Sequence, residues 1–128
     1  MSPRILIVDD DPDIRTILGL RLARVGFEVA TAADGREGLA ALDQPAPSGI
    51  VLDLLMPNVN GFEFLAALRQ AQPAPPPVFV VSELDDALVR ARVHDLGAER
   101  LLSKAEALGR EFAESLARRL PPNWHGRT

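Results

Sequence analysis

The sequence has no cysteine in 128 residues, which excludes a thiol nucleophile and a cysteine-ligated metal while fitting any redox compartment. Long apolar runs are missing too. The longest reach about five residues, against the roughly 20 that a membrane-spanning helix needs, so no membrane span is expected. The start, MSPRILIVDDD, lacks the apolar region and cleavage site of a secretory signal, and the expected location is cytoplasmic. Nor is there an excess of positive charge: 14 Lys and Arg stand against 18 Asp and Glu, a net charge of -4. That balance argues against a nucleic-acid binder, which draws its affinity from cationic side chains on phosphates. What is present is an ordinary globular composition, 47% hydrophobic and 25% charged, in a chain long enough for one domain to bury a core without staples.

Apolar runs and turn residues alternate along the chain. Residues 4–8, RILIV, read as a strand that delivers Asp9, Asp10 and Asp11 into a turn. Asp11 followed by Pro12 has the form of an N-cap and first helical residue, and Ile14, Ile17, Leu18, Leu22 and Val25 then recur at helical spacing up to Gly26. Residues 27–31 form a more peripheral strand, and Asp34-Gly35 opens a second helix through Leu39 and Leu42. Ile50, Val51 and Leu52 are the run of a strand covered on both faces, and it stops at a carboxylate, Asp53. Pro57, Asn58, Asn60 and Gly61 turn the chain into a third helix carrying Phe62, Leu65 and Leu68, which ends at the prolines of 73–77. Residues 78–81, VFVV, lead to Ser82. A fourth helix from about Asp85 turns Leu88, Val89, Val93 and Leu96 inward and closes at Gly97, with His94 on its polar side. Residues 100–102 form the last strand. Ser103 and Glu106 have capping-box spacing, so one final helix is expected from there, carrying Leu108, Phe112, Leu116 and Leu120 as far as Pro121 and Pro122.

Five strands alternating with helices predict an α/β fold, a doubly wound parallel sheet covered on both faces, in the strand order 2-1-3-4-5. In that order the first and third strands flank the switch point, where such sheets place ligands, so Asp9, Asp10 and Asp53 converge there, with Ser82 and Lys104 from neighbouring strands. Taken singly, each has an ordinary reading as a cap, a turn residue or a solvated cation. Together they suit one chemistry. A carboxylate can attack phosphorus if its own charge and that of the phosphoryl oxygens are neutralised. Asp10 and Asp53 can ligate Mg2+, Asp9 can contribute directly or through water, Lys104 supplies a fixed positive charge, and Ser82 donates a hydrogen bond.

The stretches ILIVDDDPDIR, VLDLLMPNVNG, VFVVSE and GAERLLSK closely resemble the receiver domain of two-component response regulators, over residues 4 to about 120. The resemblance implies a flavodoxin-like fold, with a receiver domain over 1–120 and a short tail over 121–128. It implies that Asp53 takes a phosphoryl group from a phosphohistidine on a sensor histidine kinase or a histidine phosphotransfer protein, in a phosphorelay. Asp9 and Asp10 match the acidic pocket, the backbone carbonyl of Leu55 is a further magnesium ligand, and Ser82 and Lys104 match the switch hydroxyl and the phosphate-binding lysine. Phosphorylation would then remodel the face built from the fourth helix, fifth strand and fifth helix. The chain would catalyse its own phosphotransfer and slow dephosphorylation only, and is not expected to be an enzyme otherwise.

Three positions depart from the usual receiver pattern. Leu101 stands where an aromatic is usual, so a ring toggle is not expected. Ala105 replaces a proline that follows the lysine in a cis bond. A cis bond here would cost roughly 2.5–4 kcal/mol, which predicts a trans bond and a shifted loop. Glu83, in place of a small residue, either repels or screens a phosphoryl group or points outward. Leu55 and Leu84, if they border the path of attacking water, predict slow hydrolysis. Output is expected through protein contact: relay, docking on a target, or a homodimer formed through the same face or through the tail, where Trp124 is the docking candidate. Arg118 and Arg119 suit a helix C-terminus. Two rival readings stand beside this one: a phosphatase of the haloacid dehalogenase type, for which the acidic pair Asp85 and Asp86 lies on the wrong side of Lys104, and a degenerate receiver that binds partners without phosphorylation.

Overall fold

The computed structural model describes residues 3–42, 46–56, 59–84 and 86–121. Pro57, Asn58, Asp85, Pro122 and Trp124, all named above, lie outside the described residues. Five strands, β1 (Arg4–Val8), β2 (Glu28–Ala32), β3 (Gly49–Asp53), β4 (Val78–Val81) and β5 (Arg100–Leu102), pair in parallel in the order β2-β1-β3-β4-β5. The helices are α1 (Pro12–Arg24), α2 (Gly35–Ala40), α3 (Gly61–Ala71), α4 (Ala87–Asp95), α5 (Lys104–Leu108) and α6 (Arg110–Arg119). The flavodoxin-like fold and its strand order are as the sequence predicts. Among the described residues, no helix is long and apolar enough to cross a membrane.

Period two in the strands divides the core. Ile5, Ile7, Val51, Phe79 and Val81 face α1, α5 and α6, where Leu18, Leu22, Phe112 and Leu116 are buried. Leu6, Val8, Ile50, Leu52 and Val80 face the other side, against Phe64, Leu65 and Leu68 of α3 and Val93 of α4. Each such side chain contributes about 1.5–3 kcal/mol by leaving water. With the central strands β3 and β4 buried along their whole length, the place left for buried polar side chains to meet a ligand is the carboxyl edge of the sheet,.

Two expectations about the helices need correction. The final helix is two, because Gly109 takes an extended conformation (φ -74°, ψ 156°) and serves as C-cap of α5 and N-cap of α6. The apolar spacing runs on across the break, and so hid it. Leu88 is 83% exposed; it lies about 100° around the helix from Val89, so the face that buries Val93 turns Leu88 outward. The capping box of Ser103 and Glu106 is present as expected, and a second, Asn60 with Glu63, opens α3.

Candidate functional site

β1 and β3 are adjacent, with Val8 paired to Leu52, so the residues that follow, Asp9 and Asp53, arrive side by side at the carboxyl edge of the sheet. Asp9, Asp53 and Ser82 are the buried polar side chains among the described residues. A buried polar group is the informative kind of residue in a core, since it must be compensated or used. Here all three occupy one edge.

Asp9 is fixed from both ends. Its Oδ1 accepts the Asp11 N–H at 2.9 Å, its own N–H donates to the Ala32 carbonyl at 3.1 Å, and its carbonyl accepts from Arg15 Nη1 at 2.7 Å. Asp11 also caps α1, as predicted, by accepting from the Asp13 N–H. The loop after Asp53 is closed by the Gly61 N–H, which donates to the Leu54 carbonyl at 2.8 Å. Leu54 in turn donates to the Val81 carbonyl at 3.1 Å, and Asp53 Oδ1 accepts a long hydrogen bond from the Leu55 N–H at 3.3 Å. A Cβ on Gly61 would lie 2.7 Å from the Leu54 Cα, so only glycine permits this close approach.

Asp9, Asp10 and Asp53 each bring a carboxylate oxygen within 4.8 Å of the others. Burial above all, then the charge of Asp9 and a side-chain hydrogen bond and charge from Asp10, push Asp53 up to about 7 from the ordinary 3.8. Asp9 is also raised, by burial first; the Lys104 ammonium pulls it the other way. Crowded hard oxygen donors with surplus negative charge are the donor set of a divalent cation of the magnesium kind.

Ser82 stands beyond Val81, which pairs with Asp53 on one side and Leu102 on the other. Its N–H donates to the Leu102 carbonyl at 2.9 Å and its Oγ accepts the Leu84 N–H at 2.9 Å. Lys104 is half-buried and is the first residue of α5, so no loop separates it from the helix. Glu83 is exposed, and its carboxylate accepts the Lys104 backbone N–H at 2.9 Å, a contact neither expectation for it included. Leu55 and Leu84 are 57% and 45% exposed beside the pocket. Sequence reasoning missed Arg15 and the partner of Glu83. Both bond to backbone groups, which leave no complementary side chain to look for; the only signal was a cation one turn into an acid-led helix.

Comparison with known proteins agrees with this fold. The family model described as the response regulator receiver domain matches residues 5–113. The chain is 43% identical, over 91% of its length, to the transcriptional regulatory protein PrrA of Mycobacterium tuberculosis, of which it covers 48%. It is 36% identical, over 81% of its length, to the alkaline phosphatase synthesis transcriptional regulatory protein PhoP of Bacillus subtilis, of which it covers 43%. The chain thus spans less than half the length of these curated relatives. The chemotaxis protein CheY4 of Vibrio cholerae superposes with a TM-score of 0.83 at 32% identity, over 93% of this chain and 98% of that one. A match from the first strand into the last helix, on a fold shared across nearly the whole length, gives one conclusion: the chain belongs to the receiver domain family of two-component response regulators.

Proposed function

We propose that Asp53 is a phosphoacceptor, taking its phosphoryl group from a phosphohistidine on a sensor histidine kinase or a histidine phosphotransfer protein. The observation that carries this reading is the meeting of Asp9, Asp10 and Asp53, from two separate strand ends, with carboxylate oxygens within 4.8 Å of one another. Mg2+ fits these carboxylates, with the backbone carbonyl of Leu55 as a further ligand. When bound, the cation neutralises part of the charge on the acids and the phosphoryl oxygens. An Asp53 oxygen forms the new bond to phosphorus while the phosphorus–nitrogen bond breaks, its electron pair staying with the imidazole. The Lys104 ammonium balances charge on the phosphoryl oxygens, and the Ser82 hydroxyl, whose oxygen accepts from the Leu84 N–H, donates a hydrogen bond to one of them,.

On this reading the chain is acceptor and catalyst of its own phosphotransfer only, and works where the kinase presents its phosphohistidine, in the cytoplasm. Movement of Ser82 toward the phosphoryl group shifts the loop after β4 and alters the face of α4, β5 and α5, where output passes to a partner or a second copy. Leu55 and Leu84 offer no polar side chain to guide an attacking water, so the acyl phosphate outlasts seconds. The alternative of a binding module without phosphorylation has no support in the pocket, where every acid, the hydroxyl and the ammonium are retained.

Intact-mass measurement after incubation with acetyl phosphate and Mg2+ tests this reading. One phosphoryl group should appear on the wild type, persist for minutes after the donor is removed, and be absent from Asp53→Asn. An unmodified wild type, or an Asp53→Asn variant modified equally, would refute it.

A further inference from the structure

Glu83 and Lys104 are 21 positions apart, yet the Glu83 carboxylate accepts the Lys104 backbone N–H at 2.9 Å. α5 has five residues, too few for a helix to hold itself together in water, so its first turn depends on its caps. Two of the groups at that turn are satisfied locally: the Ser103 N–H by the Glu106 carboxylate and the Glu106 N–H by Ser103 Oγ. The Lys104 N–H is satisfied from another element. Of all the N–H groups at that turn, it belongs to the residue whose ammonium acts on the acidic pocket.

The other end of the link is equally well placed. Glu83 directly follows Ser82, whose N–H is held by the Leu102 carbonyl and whose Oγ is held by the Leu84 N–H. One carboxylate therefore joins the segment that carries the hydroxyl to the helix that carries the ammonium. A hydrogen bond with an ionised acceptor is about twice as strong as a neutral one, and a negative charge at a helix start is favourable. We propose that Glu83 is a positioning residue for phosphoryl acceptance: by gripping the Lys104 backbone it sets the reach of the ammonium toward Asp53 and keeps Lys104 and Ser82 at one spacing. This inference rests on the reading of Asp53 as phosphoacceptor.

The test compares the wild type with Glu83→Ala, which removes the acceptor, and Glu83→Gln, which keeps an oxygen in place without the charge. Three quantities are measured: the rate of adduct formation against acetyl phosphate concentration at saturating Mg2+, the Mg2+ affinity by calorimetry, and hydrogen exchange at the Lys104 amide. In Glu83→Ala the amide should exchange faster and the maximal rate should fall about tenfold, with Mg2+ affinity unchanged because the ligands lie on other strands. Glu83→Gln should recover most of the rate. Faster exchange with an unchanged rate would reduce Glu83 to a helix cap and overturn the proposal. A rate that rises in both variants would make Glu83 a repulsive charge, and a parallel loss of Mg2+ affinity would mean a general collapse of the pocket; either overturns it. Failure of the wild type to form any adduct is a different result, which removes the Asp53 reading and this inference with it.

Discussion

Ionising Asp53 costs the folded state free energy that the unfolded chain does not lose. Its folded pKa of about 7 lies above the ordinary 3.8, so between those values the folded state holds a proton that the unfolded state has released. Stability without a divalent cation therefore falls as pH rises from about 4 to 7, and the loss is complete above that range. Each unit is worth about 1.4 kcal/mol, but the neighbouring Asp9 is raised as well and shares the cost, so Asp53→Asn should stabilise the protein by about 1–3 kcal/mol near pH 8 in chelator. That gain should vanish near pH 4. Urea denaturation at both pH values decides it: an equal gain at each would point to packing rather than charge. Asp53 was legible in the sequence for the same reason that it titrates abnormally, namely that it ends the apolar run of Ile50, Val51 and Leu52. Arg15 was not legible, because a cation on a main-chain carbonyl needs no partner side chain.

At the scale of elements, the start of α3 is pressed against the end of β3. The Gly61 N–H closes the turn onto the Leu54 carbonyl, and an added Cβ would meet the Leu54 Cα at 2.7 Å and its carbonyl oxygen at 3.0 Å. Backbone cannot rotate aside as a side chain can. Gly61→Ala should therefore push the turn away from the pocket, lower stability by about 1–3 kcal/mol, and slow adduct formation on Asp53. Urea denaturation with intact-mass kinetics measures both, and a variant matching the wild type in each would show that the turn yields freely. Gly61 was readable as a turn former, but the contact that makes it necessary is between atoms and leaves no pattern in the chain. The break at Gly109 shows the opposite limit. Its backbone is open to any residue type (φ -74°, ψ 156°), so neither the glycine nor the spacing of Leu108, Phe112 and Leu116 announced two helices in place of one.

At the scale of the molecule, both layers of core hang on the same strands. β1, β3 and β4 each send alternate residues to opposite faces, so neither layer can unfold while the other keeps its sheet. This arrangement was the most legible part of the fold, since continuous apolar runs separated by helical spacing admit few topologies and right-handed crossovers reduce them further. It also makes the acidic pocket a lever on the whole chain, because Asp9 and Asp53 continue β1 and β3, the paired strands near the middle of the sheet. A cation that binds the assembled acids has no equivalent site in the unfolded chain, and at 100 times its Kd it should add about 2.7 kcal/mol to stability. For a domain of this size that is a rise in Tm of about 10 °C. The rise should follow Mg2+ concentration in a single transition and shrink in Asp53→Asn, which removes one charged ligand and the repulsion that the cation relieves. Calorimetry across a magnesium titration gives the answer: a Tm indifferent to Mg2+ would mean that the three carboxylates, though gathered, do not form a metal site.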